Sequence, residues 1–162
     1  MKNTVTAQRL VRELARRGIT VGTAESCTGG LVAKLITDVS GSSAVLKGGF
    51  VTYTNEMKTE LLGVSPAIFE ADTEVSHACA KAMAEGARAR LGVTLAVSLT
   101  GFAGPTGGTD ADPVGTVYIG VSSSEGTWSE RFSAPDATTR ARVRNAAAQR
   151  ALELLYRAAF PN

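Results

Sequence analysis

The stretch ITVGTAESCTGGLVAKLITDV, residues 19–39, places a buried strand, a glycine turn and a helix in immediate succession. Apolar and β-branched residues in 19–26 predict a short strand. The apolar spacing in 31–39 is helical, and Gly29 and Gly30 mark the turn between the two. A strand that turns directly into a helix is the basic unit of α/β domains, so this stretch indicates the fold class.

The remaining elements extend this alternation. Helices are predicted over residues 4–17, 55–63, 76–92 and 138–159, and strands over 45–53, 93–101, 114–122 and 127–134, the last two as an antiparallel hairpin. Asn55 is the predicted cap of the second of these helices, and Ser65 and Pro66 are expected to break the chain after it. No repeat or low-complexity linker supports a domain boundary. We therefore predict an α/β fold over residues 1–162: a single three-layer α/β/α domain whose mixed sheet is covered by helices on both faces.

Composition excludes several classes of function. The 162 residues carry 17 basic and 15 acidic side chains, a net charge of +2, which gives no bulk electrostatic case for binding nucleic acid. One histidine and two cysteines make a metal site improbable, and no cofactor is expected. The sequence has no apolar run of membrane-spanning length, and its amino terminus lacks the apolar centre of a secretory signal. We expect a cytoplasmic protein that does not bind membranes.

Ser26 is the first candidate for chemistry. A serine at a sharp strand-to-helix turn holds its hydroxyl outward, close to amides that can bind an oxyanion, although the flanking glycines of an α/β-hydrolase elbow are absent. Two alternatives stay open: Ser26 and Thr28 only cap the helix, or Cys27 is the nucleophile. Side chains alternate along an extended segment, so a cleft-facing Ser26 implies a core-facing Cys27, and we expect Cys27 to be a buried apolar residue.

A serine nucleophile needs a base, and Lys58 is the candidate that its position favours. With Asn55 as cap, Lys58 is the third helical residue, where the helix dipole disfavours a cation and helps to free the amine lone pair. A solvated surface lysine is the alternative. Tyr53, five residues earlier, is expected to face the same cleft and to relay a proton or orient the lysine. A surface or capping role is expected for His77, the only histidine.

The loop TGFAGPTGG, residues 100–108, is rich in glycine and leaves backbone amides free to approach an anion or a planar ring. A mobile surface loop is the alternative interpretation. In the last helix, Arg140 and Arg144 share one face at i and i+4, and one of them could reach a phosphate, although a solvated charged face is more usual.

Four motifs, taken together and in this order, resemble the CinA carboxy-terminal domain family: TAESCTGG, VTYTNEMKTELLGV, SLTGFAGPTGG and DPVGTVYIG. The resemblance covers nearly the whole chain. Stand-alone members of that family are nicotinamide-nucleotide amidases, and we expect no amino-terminal domain of the kind fused to this one in longer CinA proteins.

The resemblance implies that the chain hydrolyses the carboxamide of nicotinamide mononucleotide to nicotinate mononucleotide and ammonia. It implies Ser26 as nucleophile, with Lys58 and Tyr53 as the activating pair. It also implies a substrate pocket, without metal or cofactor, that is lined by residues of two glycine-rich loops: Thr28, Gly29, Gly30, Thr100, Gly101, Ala103 and Gly104. We expect three further substrate contacts, which are Asn55 at the start of a predicted helix and the two arginines Arg140 and Arg144. A homodimer is the oligomeric state that the family leads us to expect.

Two departures from the family pattern, Phe102 and Thr106, bear on substrate fit. Two other functions remain open from the sequence. One is a non-catalytic nucleotide-binding regulatory or adaptor module linked to competence or DNA damage. The other is an amidase for another small carboxamide.

Overall fold

The computed structural model describes residues 4–161 and consists of a five-stranded sheet with six α-helices. The strands are β1 (Val21–Glu25), β2 (Leu46–Val51), β3 (Leu95–Gly101), β4 (Thr116–Ser123) and β5 (Gly126–Ser133). The helices are α1 (Ala7–Arg16), α2 (Leu31–Thr37), α3 (Asn55–Leu62), α4 (Pro66–Ala71), α5 (His77–Leu91) and α6 (Arg140–Ala159), and a short 3₁₀ helix spans Ser42–Ala44. Within residues 4–161, no helix has the length and apolarity that crossing a membrane would require.

The sheet is mixed, with the strand order β2-β1-β3-β4-β5. Strand β1 pairs in parallel with both β2 and β3, whereas β4 and β5 are antiparallel to their neighbours. The strand that follows β1 in the sequence, β2, lies on one side of β1 in the sheet, and the next strand, β3, lies on the other side. The carboxyl ends of β1 and β3 therefore form a topological switch point, the usual position of a ligand site in such sheets.

Two apolar clusters cover the two faces of the sheet, which confirms the predicted three-layer α/β/α fold. One cluster joins the sheet to α1, α2 and α6, and the other joins it to α3, α4 and α5. Side chains of β1 alternate between them: Val21 packs into the first cluster and Ala24 into the second.

The cap of α3 differs from the prediction. Thr54 is the N-cap, because its hydroxyl accepts a hydrogen bond from the Met57 amide at 3.2 Å, and Asn55 is the first helical residue. Lys58 is consequently the fourth helical residue, where the helix dipole has less effect. The predicted chain break after α3 is also wrong in part, since Ser65 caps the short helix α4, with Pro66 as its first residue.

The turn after β1 is closed by glycines and by the carboxylate of Glu25. Gly29 and Gly30 have φ angles of +61° and +103°, values that a side chain would make costly. The hypothesis that Ser26 or Thr28 caps α2 is wrong. Glu25 does so instead, accepting hydrogen bonds from the amides of Val32 at 2.9 Å and Ala33 at 3.1 Å.

Candidate active site

A cleft of about 380 Å³ opens at the switch point between β1 and β3. The three residues predicted to be catalytic, Ser26, Tyr53 and Lys58, all line it. Six of the ten predicted substrate contacts also line it: Asn55, Thr100, Gly101, Ala103, Gly104 and Arg140. The structure thus brings together side chains from three separate sequence motifs.

Ser26 directly follows β1 and continues its alternation. Its amide donates to the carbonyl of Leu99 at 3.0 Å, so the residue is held by the neighbouring strand β3. Val21 points to one face of the sheet and Ala24 to the other. Because side chains alternate along the strand, Ser26 faces the same side as Ala24, towards α3 and α5. Its side chain is largely buried, at 9% exposure, yet it borders the cleft.

Lys58 is the lysine that meets Ser26. Its Nζ lies 3.0 Å from Ser26 Oγ and 3.0 Å from the carbonyl oxygen of Thr52. The residue is only 1% exposed. Within residues 4–161, no carboxylate oxygen lies within 4.0 Å of this nitrogen. A buried amine with only neutral hydrogen-bond partners is poorly compensated as an ammonium ion.

The electrostatics of the cleft favour the neutral amine. Burial lowers the pKa of Lys58 below its usual 10.5, and the nearby groups Cys79, Glu74 and Cys27 oppose that shift when ionised. Burial raises the pKa of both thiols to about 11, so near neutral pH both thiols are protonated and neither opposes the shift. A neutral Lys58 can donate one N–H to Thr52 and accept the Ser26 hydroxyl proton on its lone pair.

Cys27 lies on the opposite side of the chain from Ser26, as the alternation predicts. Its side chain is buried in the apolar cluster beside α1, α2 and α6. Because its pKa is raised to about 11, the thiol is protonated at neutral pH and is a poor nucleophile. Cys27 nevertheless forms part of the cleft wall.

Tyr53 occupies the mouth of the cleft and is 59% exposed. Its hydroxyl accepts a hydrogen bond at 2.8 Å from Nη2 of Arg140, rather than contacting Lys58 or Ser26. Lys58 is oriented by the Thr52 carbonyl instead. A proton-relay role for Tyr53 stays a prediction.

The two arginines of α6 have different surroundings. Arg140 lines the cleft and donates to the Gly104 carbonyl at 2.9 Å as well as to Tyr53. Arg144 donates to the carbonyls of Cys27 at 3.1 Å and Thr28 at 3.0 Å, and lies outside the cleft lining. Arg140 therefore contributes a guanidinium to the cleft wall, whereas Arg144 fixes the turn after Ser26.

Three other expected substrate contacts, Thr28, Gly29 and Gly30, do not line the cleft. Thr28 is fully buried, and the two glycines supply the left-handed backbone of the turn. The two glycines thus allow the positive φ angles of the turn, and they do not let a ligand approach the backbone closely. His77 also lies elsewhere: its Nδ1 is 2.7 Å from Ser129 Oγ, and its ring packs against Tyr118.

Two acidic residues near the site were not identified from the sequence. Glu25 is the last residue of β1, and its carboxylate caps α2. The sequence indicates this role only through the position of Glu25, seven residues before Val32. Glu74 lines the cleft beside Lys58 from a loop that contains no motif.

Comparisons with known proteins agree with this architecture. The family model described as the CinA C-terminal domain matches residues 3–159. A CinA-like protein of Anaeromyxobacter dehalogenans is 48% identical over 146 residues, which cover 90% of this chain and 35% of that protein. One of Desulfotalea psychrophila is 42% identical over 151 residues, covering 93% of this chain and 36% of that protein. The chain thus spans about a third of the length of these curated relatives.

Solved structures match over nearly their full length. The crystal structure of the competence/damage inducible protein CihA from Agrobacterium tumefaciens has a TM-score of 0.89 and 40% identity, covering 93% of this chain and 91% of that one. A CinA superfamily protein from Escherichia coli has a TM-score of 0.88 and 30% identity, covering 98% and 93%. With its sheet order, its cleft and these matches, the chain belongs to the CinA C-terminal domain family.

Proposed function

We propose that this chain is a serine amidohydrolase that converts nicotinamide mononucleotide to nicotinate mononucleotide and ammonia. The observation that carries the proposal is the 3.0 Å contact between the buried Lys58 Nζ and Ser26 Oγ at the base of the cleft. An amine whose pKa is lowered by burial, within hydrogen-bond reach of a hydroxyl, is the arrangement that a serine nucleophile with a lysine base requires.

These contacts support the following mechanism. Lys58 takes the Ser26 proton as Oγ forms a bond to the carboxamide carbon, and backbone amides that follow Ser26 would donate to the resulting oxyanion. The tetrahedral intermediate collapses when the Lys58 ammonium returns its proton to the leaving nitrogen, which departs as ammonia. Lys58 then deprotonates a water molecule that attacks the ester carbon, and the Ser26 hydroxyl is regenerated with release of the carboxylate product.

Substrate choice rests on the resemblance and on Arg140. Within residues 4–161, this guanidinium is bonded to one carbonyl and one phenol and has no carboxylate partner, so its positive charge is available to a ligand. A phosphate monoester is the common biological anion that such a group binds through paired N–H donors. The carboxamide would then lie deeper, next to Ser26.

The decisive experiment measures ammonia release from nicotinamide mononucleotide by the wild type, Ser26→Ala and Ser42→Ala. Ser42 is a matched control because it has the same 9% exposure but lies in the 3₁₀ helix, away from the cleft. We expect release by the wild type and Ser42→Ala, and loss of at least about a thousandfold in Ser26→Ala.

Each alternative has its own result. Binding of the nucleotide without ammonia release would reject the amidase proposal in favour of a regulatory or adaptor module. Release of ammonia only from another member of a carboxamide panel would keep the chemistry and reject the substrate.

A further inference from the structure

Glu74 is an acidic residue in the cleft for which the proposed mechanism has no use. It lines the same cleft as Ser26, Lys58 and Arg140. Within residues 4–161, its carboxylate makes no ion pair and accepts no hydrogen bond from a side chain or from the backbone. A half-buried carboxylate without a protein partner is available to a ligand.

The segment that carries Glu74 is held firmly in an uncommon conformation. Thr73 has a φ of +94°, a strained value for a β-branched residue, which persists only where surrounding contacts enforce it. Those contacts are present: Thr100 Oγ1 donates to the Glu74 carbonyl at 2.6 Å, and Ser76 Oγ donates to the Thr73 carbonyl at 2.9 Å. Thr100 thereby ties this segment to the end of β3.

The wall beside Glu74 is aromatic. Phe102 lines the cleft and packs against Val75, the residue next to Glu74, and against Tyr118. A cleft lined by both a carboxylate and a phenyl ring suits a flat cation, because a negative charge and the face of an aromatic ring both attract positive charge. Within the cleft, Glu74 is thus the counterpart of Arg140, and the two give it one anionic and one cationic group.

The carboxylate of Glu74 favours the protonated form of Lys58 unless a positive charge neutralises the carboxylate. Its negative charge raises the pKa of Lys58 and so opposes the effect of burial. For a substrate with an uncharged ring, this carboxylate would disfavour the reactive, neutral amine. A cationic ring would cancel the charge of Glu74 on binding and remove that disadvantage.

We propose that Glu74 is a specificity-determining residue that selects a positively charged ring in the substrate, while Arg140 holds the phosphate. The inference rests on the proposed function and deepens it: the cleft takes a zwitterionic mononucleotide in which a pyridinium cation and a phosphate anion lie at opposite ends. Complementary charges of this kind act mainly by discriminating between ligands.

The test compares nicotinamide mononucleotide with its reduced form, whose 1,4-dihydropyridine ring is neutral but which has the same carboxamide and phosphate. The ratio of kcat/KM for the two substrates is measured for the wild type, Glu74→Gln, Glu74→Asp and the control Glu70→Gln. Glu70 is an exposed residue of α4, and its substitution changes the net charge equally. Differences in intrinsic amide reactivity cancel when the ratios are compared between variants.

We expect Glu74→Gln to lower the preference for the oxidised substrate by about tenfold, the equivalent of about 1.4 kcal/mol. Glu74→Asp should keep most of the preference, and Glu70→Gln should keep all of it. An unchanged ratio in Glu74→Gln, with ammonia still released, would overturn the role of Glu74 and leave the amidase proposal standing.

A binding measurement separates the two proposals. Calorimetric affinities of both nucleotides are determined for Ser26→Ala and for Ser26→Ala combined with Glu74→Gln. If the wild type releases no ammonia, the amidase proposal fails, yet tighter binding of the oxidised form that is lost with Glu74→Gln would still support the charge selection. Equal affinities for the two forms in Ser26→Ala would overturn it.

Discussion

Glu25 and Lys58 flank Ser26 on opposite faces of the sheet and are equally buried, each about 1% exposed. Glu25 lies on the side of α2 and α6, and Lys58 reaches Ser26 from α3 on the other side. Charged side chains are rarely buried to this degree without a compensating partner. The two residues solve this problem differently.

The carboxylate of Glu25 accepts two backbone hydrogen bonds at the amino terminus of α2, where the helix dipole also favours an anion. Lys58 has a hydroxyl and a carbonyl as partners, neither of which carries a charge. The first group is compensated as an ion and stabilises the fold, whereas the second is compensated only as a neutral amine and is chemically available. The partners, rather than the burial, distinguish the structural group from the reactive one.

The largest expected effect comes from Lys58→Met. Methionine has a similar volume and no basic nitrogen, so we expect kcat/KM for nicotinamide mononucleotide to fall by about a thousandfold or more. The free energy of unfolding should stay within about 1 kcal/mol of the wild type or rise, because a poorly compensated polar group is removed from the interior. Ammonia release and urea denaturation give the two values.

The exposed Lys47→Met is the matched control for this change and should leave both quantities unaltered. A large loss of stability in Lys58→Met would mean that the lysine is a structural group like Glu25, and the contrast between the two residues would disappear.

The next effect is on stability and concerns Glu25→Ala. It leaves the amides of Val32 and Ala33 without their acceptor and removes two hydrogen bonds to a charged group, each of which contributes about 1.5–3 kcal/mol. We expect a loss of about 3 kcal/mol in the free energy of unfolding, measured by urea denaturation. Glu25→Gln, which retains the shape and one acceptor oxygen, should lose about half as much. An equal loss in both variants would show that the charge of the carboxylate, rather than the number of its acceptor oxygens, provides the stabilisation.

A third prediction uses pH to sharpen the contrast. Burial lowers the pKa of Lys58 in the folded chain, so between that pKa and 10.5 the unfolded chain binds more protons. The contribution of the lysine to the free energy of unfolding therefore increases with pH in that window, by at most about 1.4 kcal/mol per pH unit. The stability of the wild type relative to Lys58→Met should rise with pH below 10.5, over the window that opens at the lowered pKa of the folded chain.

This difference isolates the lysine because the two buried thiols, whose pKa values are raised to about 11, are present in both proteins. Unfolding curves across the pH series supply the measurement. A relative stability that stays flat or falls would mean that Lys58 is no harder to protonate in the folded chain than in the unfolded one.

Much of the fold was predictable because the relevant patterns are local. Apolar periodicity gave the strands and the long helices, and the alternation along β1 correctly separated Ser26 from Cys27. The N-cap of α3 was displaced by one residue because both Thr54 and Asn55 are good capping residues, and only the three-dimensional structure shows which hydroxyl or amide meets the Met57 amide.

The site was less predictable because its contacts are distant in sequence. The bond between Lys58 and Ser26 spans 32 residues, and that between Arg144 and Thr28 spans 116. Local spacing indicated that Arg140 and Arg144 share a helix face, but not that only one of them meets the cleft. Glu74 had no local signal, since its importance arises from the loop that places it beside Lys58.

The smallest expected effect concerns Arg140 and Arg144, which lie one helical turn apart on α6 and show the same contrast between a structural and a cleft residue. Arg144 lies with Glu25 on the structural side of Ser26, donating to the carbonyls of Cys27 and Thr28, and Arg140 lies with Lys58 in the cleft. Arg144→Met should lower the free energy of unfolding by about 1 kcal/mol, because its partly exposed bonds exchange with water. Arg140→Met should leave stability within about 0.5 kcal/mol and raise KM for the phosphorylated substrate instead. Urea denaturation and steady-state kinetics on the two variants provide the comparison. If both arginines affected KM alone, the turn after Ser26 would be held by Glu25 and its glycines without help from α6, and the structural side of the site would be confined to the strand itself.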